Sequence, residues 1–286
     1  MTDSEILALA SQQSVSPRLV FREQLQLAAL YEMQRHTEFH SFVFQGGTAL
    51  RLCYNNPRFS EDLDFVVRSS PPARISLDEP LPWENIVDAL TEVFPGANGF
   101  KVRVQKADSG IQRSIITCQT PYERGLHRLH LECVRVPAHT TAESIIQAPQ
   151  GRFTIVVETP KEILADKLVA VGLRSYFKGR DMWDIAFLQH QKVSVDLTLI
   201  QSKLRDYGHS ATDYLHKLDQ QRIAMQTPDS ILNLRMELAR FLTREQIERF
   251  DAEGGWKRML DGTLNLITSI QHSIAPAPPT QRGPHL

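Results

Sequence analysis

Along the first forty residues, apolar side chains recur at helical intervals: Ile6, Leu7, Leu9 and Ala10, then Leu25, Leu27, Ala28, Leu30 and Tyr31. That spacing predicts two helices parted at Ser14-Val-Ser-Pro17. From Phe42 the period shortens. Runs at 42–45, 62–67, 101–105, 114–119, 130–136 and 153–158 read as short strands, the Pro-rich stretch 70–82 as a loop, and 83–94 as a helix. Thr159-Pro160 then sets a good N-cap before a residue suited to the first helical turn. Beyond it the pattern is helical, with candidates from 161 and at 195–207, 230–242, 244–250 and 256–270, broken at Gly254-Gly255. The expectation is therefore a β-rich or α/β core over 1–158 that includes the N-terminal helices, a helical domain over 159–274, and a disordered tail over 275–286.

Composition narrows the class. With 42% hydrophobic and 23% charged residues among 286, the chain is an ordinary globular protein, and no apolar run is long enough to cross a membrane. A cytoplasmic location is expected. Cys53, Cys118 and Cys133 are widely spaced with no C-x-x-C pair, which points to buried thiols rather than disulfides or a zinc knuckle. At a net charge of -1, any nucleic-acid contact must rest on a local basic patch.

Candidate chemistry concentrates between Phe42 and Val67, FVFQGGTALRLCYNNPRFSEDLDFVV. Gly46 and Gly47 stand where a strand turns into a helix, and backbone amides there can receive phosphate oxygens, although a plain tight turn uses the same residues. Strand alternation turns Ser60, Asp62 and Asp64 to one face and Glu61 away from it. Two converging carboxylates are either solvated or bridged by a cation such as Mg²⁺. In the helix after Pro160, Lys167 interrupts the apolar stripe of Ile163, Leu164, Leu168 and Val171, while Glu162 and Asp166 lie outside it; such a lysine snorkels outward or points inward at an anion. Asp184 sits among the apolar residues of DMWDIAFL beside Asp181 and must find a partner: an ion pair with Arg180 or Lys167, or a role as general base. His130 and Glu132 share a strand face opposite Leu129 and Leu131, so Glu132 could add a third carboxylate. The zincin, P-loop, Rossmann and G-x-S-x-G patterns are absent.

Taken in order, GGTALRL, RFSEDLDF, EILADKLVA and KGRDMWDIAFL resemble the AbiEii family of nucleotidyltransferase-like toxins, the toxin halves of abortive-infection and MenT-type toxin–antitoxin systems. The resemblance spans about residues 42–190. It implies an α+β fold, with a short mixed sheet flanked by helices and a helical C-terminal domain closing the nucleotide cleft. By matching position, Gly46, Gly47 and Ser60 are the phosphate-binding loop, Asp62 and Asp64 the metal pair with Glu132 as third carboxylate, and Lys167 the lysine on the nucleotide phosphates. Asp184 is the late acid required for activity, and Asp181 belongs to the same block on the nucleotide side. The implied reaction is Mg²⁺-dependent (or Mn²⁺-dependent) transfer of NMP from an NTP to an acceptor hydroxyl, with the 3′ end of a tRNA as acceptor and a cognate antitoxin encoded nearby. Glu132 and Asp184 both stand open as the base. Lys178, Arg180, Arg174 and Arg51 are candidate phosphate contacts. Two other readings keep the same fold: a nucleotidyltransferase for a small molecule such as an aminoglycoside, and a non-catalytic nucleotide-binding protein.

Overall fold

The computed structural model describes residues 1–68, 77 and 81–274. The expected loop over 70–82 thus falls largely, and the expected tail over 275–286 wholly, outside the described residues. Helices α1 (Asp3–Gln13) and α2 (Pro17–Met33) form where the apolar period predicts, with the Ser16 side chain capping α2 at the Leu19 amide. Among the described residues seven strands form one sheet: β1 (Phe42–Gln45), β2 (Leu63–Arg68), β3 (Asn98–Ala107), β4 (Ile111–Thr120), β5 (Glu123–Ala138), β6 (Thr141–Ala148) and β7 (Gly151–Glu158). Their spatial order is β3-β4-β5-β2-β1-β7-β6. Strand β2 runs parallel to β5, and β1 to β7; the other neighbours are antiparallel, so the sheet is mixed. Helix α3 (Gly46–Tyr54) links β1 to the β2 segment, and α4 (Trp83–Val93) precedes β3.

After Thr159, whose side chain caps the Glu162 amide, the chain is helical. The helices are α5 (Pro160–Leu173), α6 (Gly179–His190), α7 (Leu197–Asp206), α8 (Ala211–Met225), α9 (Ser230–Leu238), α10 (Arg244–Glu253) and α11 (Gly255–Ile274). Gly254, at a φ of 63°, ends α10 in the left-handed region as the Gly-Gly break predicts. Strand β6 and helix α8 were not among the expected elements.

The two faces of the sheet differ. Phe44, Leu63, Phe65, Ile116, Leu129, Leu131 and Cys133 point into the main core, beneath α2 and α4. The opposite face carries a small cluster of Val43, Val66, Val136 and Ala138, and beside it the polar row that forms the site. The main core is continuous from Ile6 to Ile270, so the sheet and the C-terminal helices share it. All three cysteines are free; Cys118 and Cys133 are buried and Cys53 half-buried, and burial pushes the Cys53 thiol up to about 11.

Helix α5 departs from its sequence pattern. Glu162 is fully buried and the Asp166 side chain nearly so, rather than outside the packed face. The reason is Lys203 of α7, itself fully buried, whose Nζ lies 2.9 Å from Glu158, 2.6 Å from Glu162 and 3.0 Å from Asp166. These acids form the one close carboxylate group with metal-ligand spacing among the described residues, and an ammonium occupies it.

Candidate active site

Strand β1 hands over to α3 at Gln45, and Gly46 takes a φ of 80°, which favours glycine. A Cβ on Gly46 would stand 2.9 Å from Asp64 Oδ2; on Gly47 it would stand 2.3 Å from Arg58 Nη2 and 3.1 Å from Ser60 Oγ. Both glycines therefore make room for fixed side chains of the site. Gln45 makes no side-chain bond to the first-turn amides of α3, which leaves that helix start without a side-chain cap. The Thr48 hydroxyl donates to the Asp62 carbonyl and ties the approach to β2 against α3.

Register aligns the acids. Gln45 pairs with Asp64, Asp64 with Glu132, and Glu132 with Arg113, giving one row across β1, β2, β5 and β4. Asp62, expected as the first residue of the strand, lies just before β2, which starts one residue later. Above the row is a cavity of about 370 Å³. Gly47, Ser60, Asp62, Asp64 and Glu132 line its sheet side, and Lys167, Arg174, Lys178, Arg180 and Asp181 of the α5–α6 region line the other. Three carboxylates, with Arg58 and Arg113 beside them, thus face a wall of four cations and Asp181.

The pairing inside this cavity is uneven. Glu132 is paired with Arg113, Asp181 with Lys167 (2.9 Å) and Arg174, and Glu61 with Arg22 (2.9 Å) and Arg180 (3.1 Å). Among the described residues, the Asp62 and Asp64 carboxylates have neither an ion pair nor a side-chain hydrogen bond. Burial raises the pKa of both. At Asp64, the added repulsion of Asp62 and Glu132 outweighs Lys167 and Arg180 and takes it to about 7; at Asp62, Arg180 offsets part of the rise. Two unpaired hard-oxygen donors on the floor of a polar cavity fit a divalent cation of the Mg²⁺ or Mn²⁺ kind.

Asp184 is fully buried and does not line the cavity. Its Oδ1 accepts from Asn56 Nδ2 (2.8 Å) and Arg58 Nε (2.9 Å), and its Oδ2 from Arg58 Nη2 (2.7 Å) with Lys167 Nζ at 2.8 Å. Burial by itself would raise its pKa, but Arg58 and Lys167 hold it down at about 2. The carboxylate anchors two cations that do reach the cavity. Asp181 likewise acts on the cavity through Lys167 and Arg174 rather than by presenting a donor to an anion. Arg51 points elsewhere: it pairs with Glu23 at 2.6 Å and stacks over Phe59. Arg174, Lys178 and Arg180 do line the cavity.

Arg58 and Glu237 escaped the sequence reading. Arg58, 1% exposed, is one arginine in the polar run NNPRFSED, and nothing in that spacing says that it is buried. Glu237 of α9 accepts from the Gly179 amide at 2.7 Å and so caps α6, orienting the Lys178–Arg180 turn from 58 residues away. A larger cavity of about 590 Å³ lies between α6, α10 and α11, lined by Trp183, Phe187, Phe250 and Met259; its one carboxylate, Glu253, is already paired with Arg249 and Arg258. The reactive arrangement belongs to the smaller one.

Known proteins place the chain by family and by fold. Residues 28–274 match the profile of the AbiEii nucleotidyl transferase toxins of type IV toxin–antitoxin systems. None of the curated proteins compared with the chain matches it. Two solved structures share the fold. JHP933 from Helicobacter pylori is 20% identical with a TM-score of 0.53, over 91% of this chain and 98% of that one. A candidate nucleotidyltransferase from H. pylori is 19% identical with a TM-score of 0.56, over 92% of this chain and 100% of that one. No helix of the described residues is long and apolar enough to cross a membrane.

Proposed function

Since the chain belongs to the AbiEii family of nucleotidyl transferase toxins of type IV toxin–antitoxin systems, we propose that it moves NMP from an NTP to an RNA hydroxyl in the cavity above Asp62 and Asp64. Family membership carries the nucleotidyltransferase activity, the nucleotide substrate and a cognate antitoxin; the acceptor, the cation and the residue roles are the proposal. One observation supports it above the others. Asp62 and Asp64 are left unpaired while Lys167, Arg174, Lys178 and Arg180 line the facing wall.

Asp62 and Asp64 hold a divalent cation, Mg²⁺ in the first instance, whose chemistry is to neutralise triphosphate charge and the leaving group. Lys167 and Arg180, with the α3 amides at Gly46 and Gly47 and the Ser60 hydroxyl, bind and orient the phosphates. The acceptor oxygen attacks the α-phosphorus, the bond from that phosphorus to the bridging oxygen of the β-phosphate breaks, and pyrophosphate leaves. Glu132 takes the acceptor proton, because it lines the cavity with only its Oε2 held, by Arg113, whereas both Asp184 oxygens are engaged away from the cavity. Asp184 is a positioning residue for Lys167 and Arg58. Residues 159–274 act as the domain that closes the cleft on a catalytic core of residues 1–158, and the reaction belongs to the cytoplasm, where NTPs and tRNA meet.

The test uses a labelled NTP with total RNA and, separately, with aminoglycosides. Label at RNA 3′ ends, concentrated in tRNA and lost in Asp62→Ala, is the expected result. Label confined to small molecules sinks the RNA acceptor.

A further inference from the structure

The row that carries Asp64 and Glu132 continues outward over a bare sheet face. On β5, alternation from Glu132 places His130 and Arg128 on the same side; on β3, Arg103 pairs with Ile115 opposite His130, and Lys101 pairs with Thr117 opposite Arg128. Lys101, Arg103, Arg128 and His130 are all exposed, while their strand neighbours Val102, Ile116 and Leu129 turn into the main core. Arg113, already at the cavity rim, joins this group to the site. Lys101, Arg103 and Arg128, with Arg113 at the rim, therefore put four cations on one flat face of β3–β5, the farthest about 13 Å along the strand from Glu132. Among the described residues, no carboxylate lies within ion-pair reach of Lys101, Arg103 or Arg128. In a chain whose net charge is -1, such clustering does not follow from composition. The helices that pack on β3 and β5, α4 and α2, do so from the other side.

We propose that this face is the track for the phosphodiester backbone of the acceptor RNA, with Lys101, Arg103 and Arg128 contacting phosphates upstream of the reacting 3′ hydroxyl. The proposal rests on the RNA-acceptor reading above. An unpaired cationic strip costs solubility of the fold nothing in water, yet it raises the local concentration of a polyanion and guides it. A strip of charged side chains, with the exposed Leu126 at its outer end rather than its centre, suits a backbone better than a folded acidic protein, whose docking would bury apolar residues at its centre. Continuity with the Glu132–Arg113 pair brings the bound chain's end to the cavity.

The experiment measures binding of a fluorescent single-stranded RNA by anisotropy across a salt series, for wild type and for Lys101→Glu/Arg103→Glu/Arg128→Glu. The expected result is affinity weaker by about 10- to 100-fold near 0.1 M salt, and a log K against log salt slope shallower by about 2, the loss of three single-strand phosphate contacts. In the transfer assay the same variant raises KM for RNA with little change in kcat. A control reversing Arg244, Arg249 and Lys257 on α10 and α11 makes the same change in net charge and leaves RNA affinity close to wild type. If the charge reversal lowers Tm, the Gln triple at 101, 103 and 128 replaces it. Unchanged affinity and slope in the sheet variant, or an equal loss in the control, overturns the track alone. Displacement of RNA by poly-glutamate at matched charge concentration overturns it in favour of an acidic protein partner. A wild type that neither binds nor labels RNA overturns the acceptor reading itself.

Discussion

With its carboxyl raised to about 7 by burial and by Asp62 and Glu132, Asp64 binds a proton more tightly in the folded chain than in the unfolded one. Its contribution to stability is then full at pH below the unfolded value and is lost as pH rises through the folded one. Metal-free protein should therefore lose stability between about pH 4 and pH 7, and Asp64→Asn should flatten that slope while raising Tm at pH 8 by about 2–4 °C, the shift for roughly 1 kcal/mol in a chain this size. The same variant should abolish transfer; a Tm below wild type at pH 8 would sink the idea. Since a bound cation requires the ionised carboxylate, metal affinity should weaken about tenfold per pH unit below about 7, which calorimetric titration would read. Asp184 behaves in the opposite sense. Held at about 2 by Arg58 and Lys167, it stabilises the fold fully at pH values above the ordinary carboxylate range, and that contribution fades as pH falls from about 4 to about 2. Asp184→Asn leaves Arg58 buried beside a neutral partner and should cost about 3–5 kcal/mol in denaturant unfolding, whereas Asp64→Asn should not.

At the level of elements, the buried pairing of α5 with α7 carries the clearest expectation. Lys203 is the shared partner of Glu158, Glu162 and Asp166, and burial raises the carboxyls of Glu158 and Asp166. Lys203→Met leaves three acids without a cation and should destabilise by about 3–5 kcal/mol at pH 8. Because protonation relieves those acids, the variant should recover stability towards pH 5; no recovery would mean that lost packing, not charge, explains the defect. This cluster also marks where sequence reading stops. A helical wheel of α5 finds Lys167 as the odd residue correctly, yet it sends Glu162 and Asp166 to solvent because it cannot see a lysine arriving 37 residues beyond Asp166. Strand β6 escaped for a related reason: TAESIIQA is rich in residues that strands disfavour, and as an edge strand paired only with β7 it leaves Ile145 74% exposed. Where pattern and local chemistry coincide, as at Thr159-Pro160, Gly254 or the alternation of His130 with Glu132, the elements and faces were legible. The partners were not: Arg58 for Asp184, Arg113 for Glu132 and Glu237 for the α6 amides come from contacts that no local spacing encodes.

For the molecule as a whole, the continuous core decides how far the chain divides. Ile163, Leu164 and Leu168 of α5 lie in the same apolar cluster as Leu50, Ile155 and Val157. Glu61 adds a polar tie, bridging Arg22 of α2 to Arg180 of α6 beside the cavity. A fragment of residues 1–158 would expose that shared core, so it should be insoluble or lack a cooperative thermal transition, while co-expression with 159–286 should restore a soluble complex. A folded, monomeric 1–158 fragment would contradict this. The paired glycines carry a last consequence, for genetics rather than chemistry. Any amino-acid substitution at either glycine adds a Cβ where Asp64, Arg58 or Ser60 already stands. In cells forced to silence this toxin without its antitoxin, escape mutants should therefore recur at codons 46 and 47, and they should yield full-length protein.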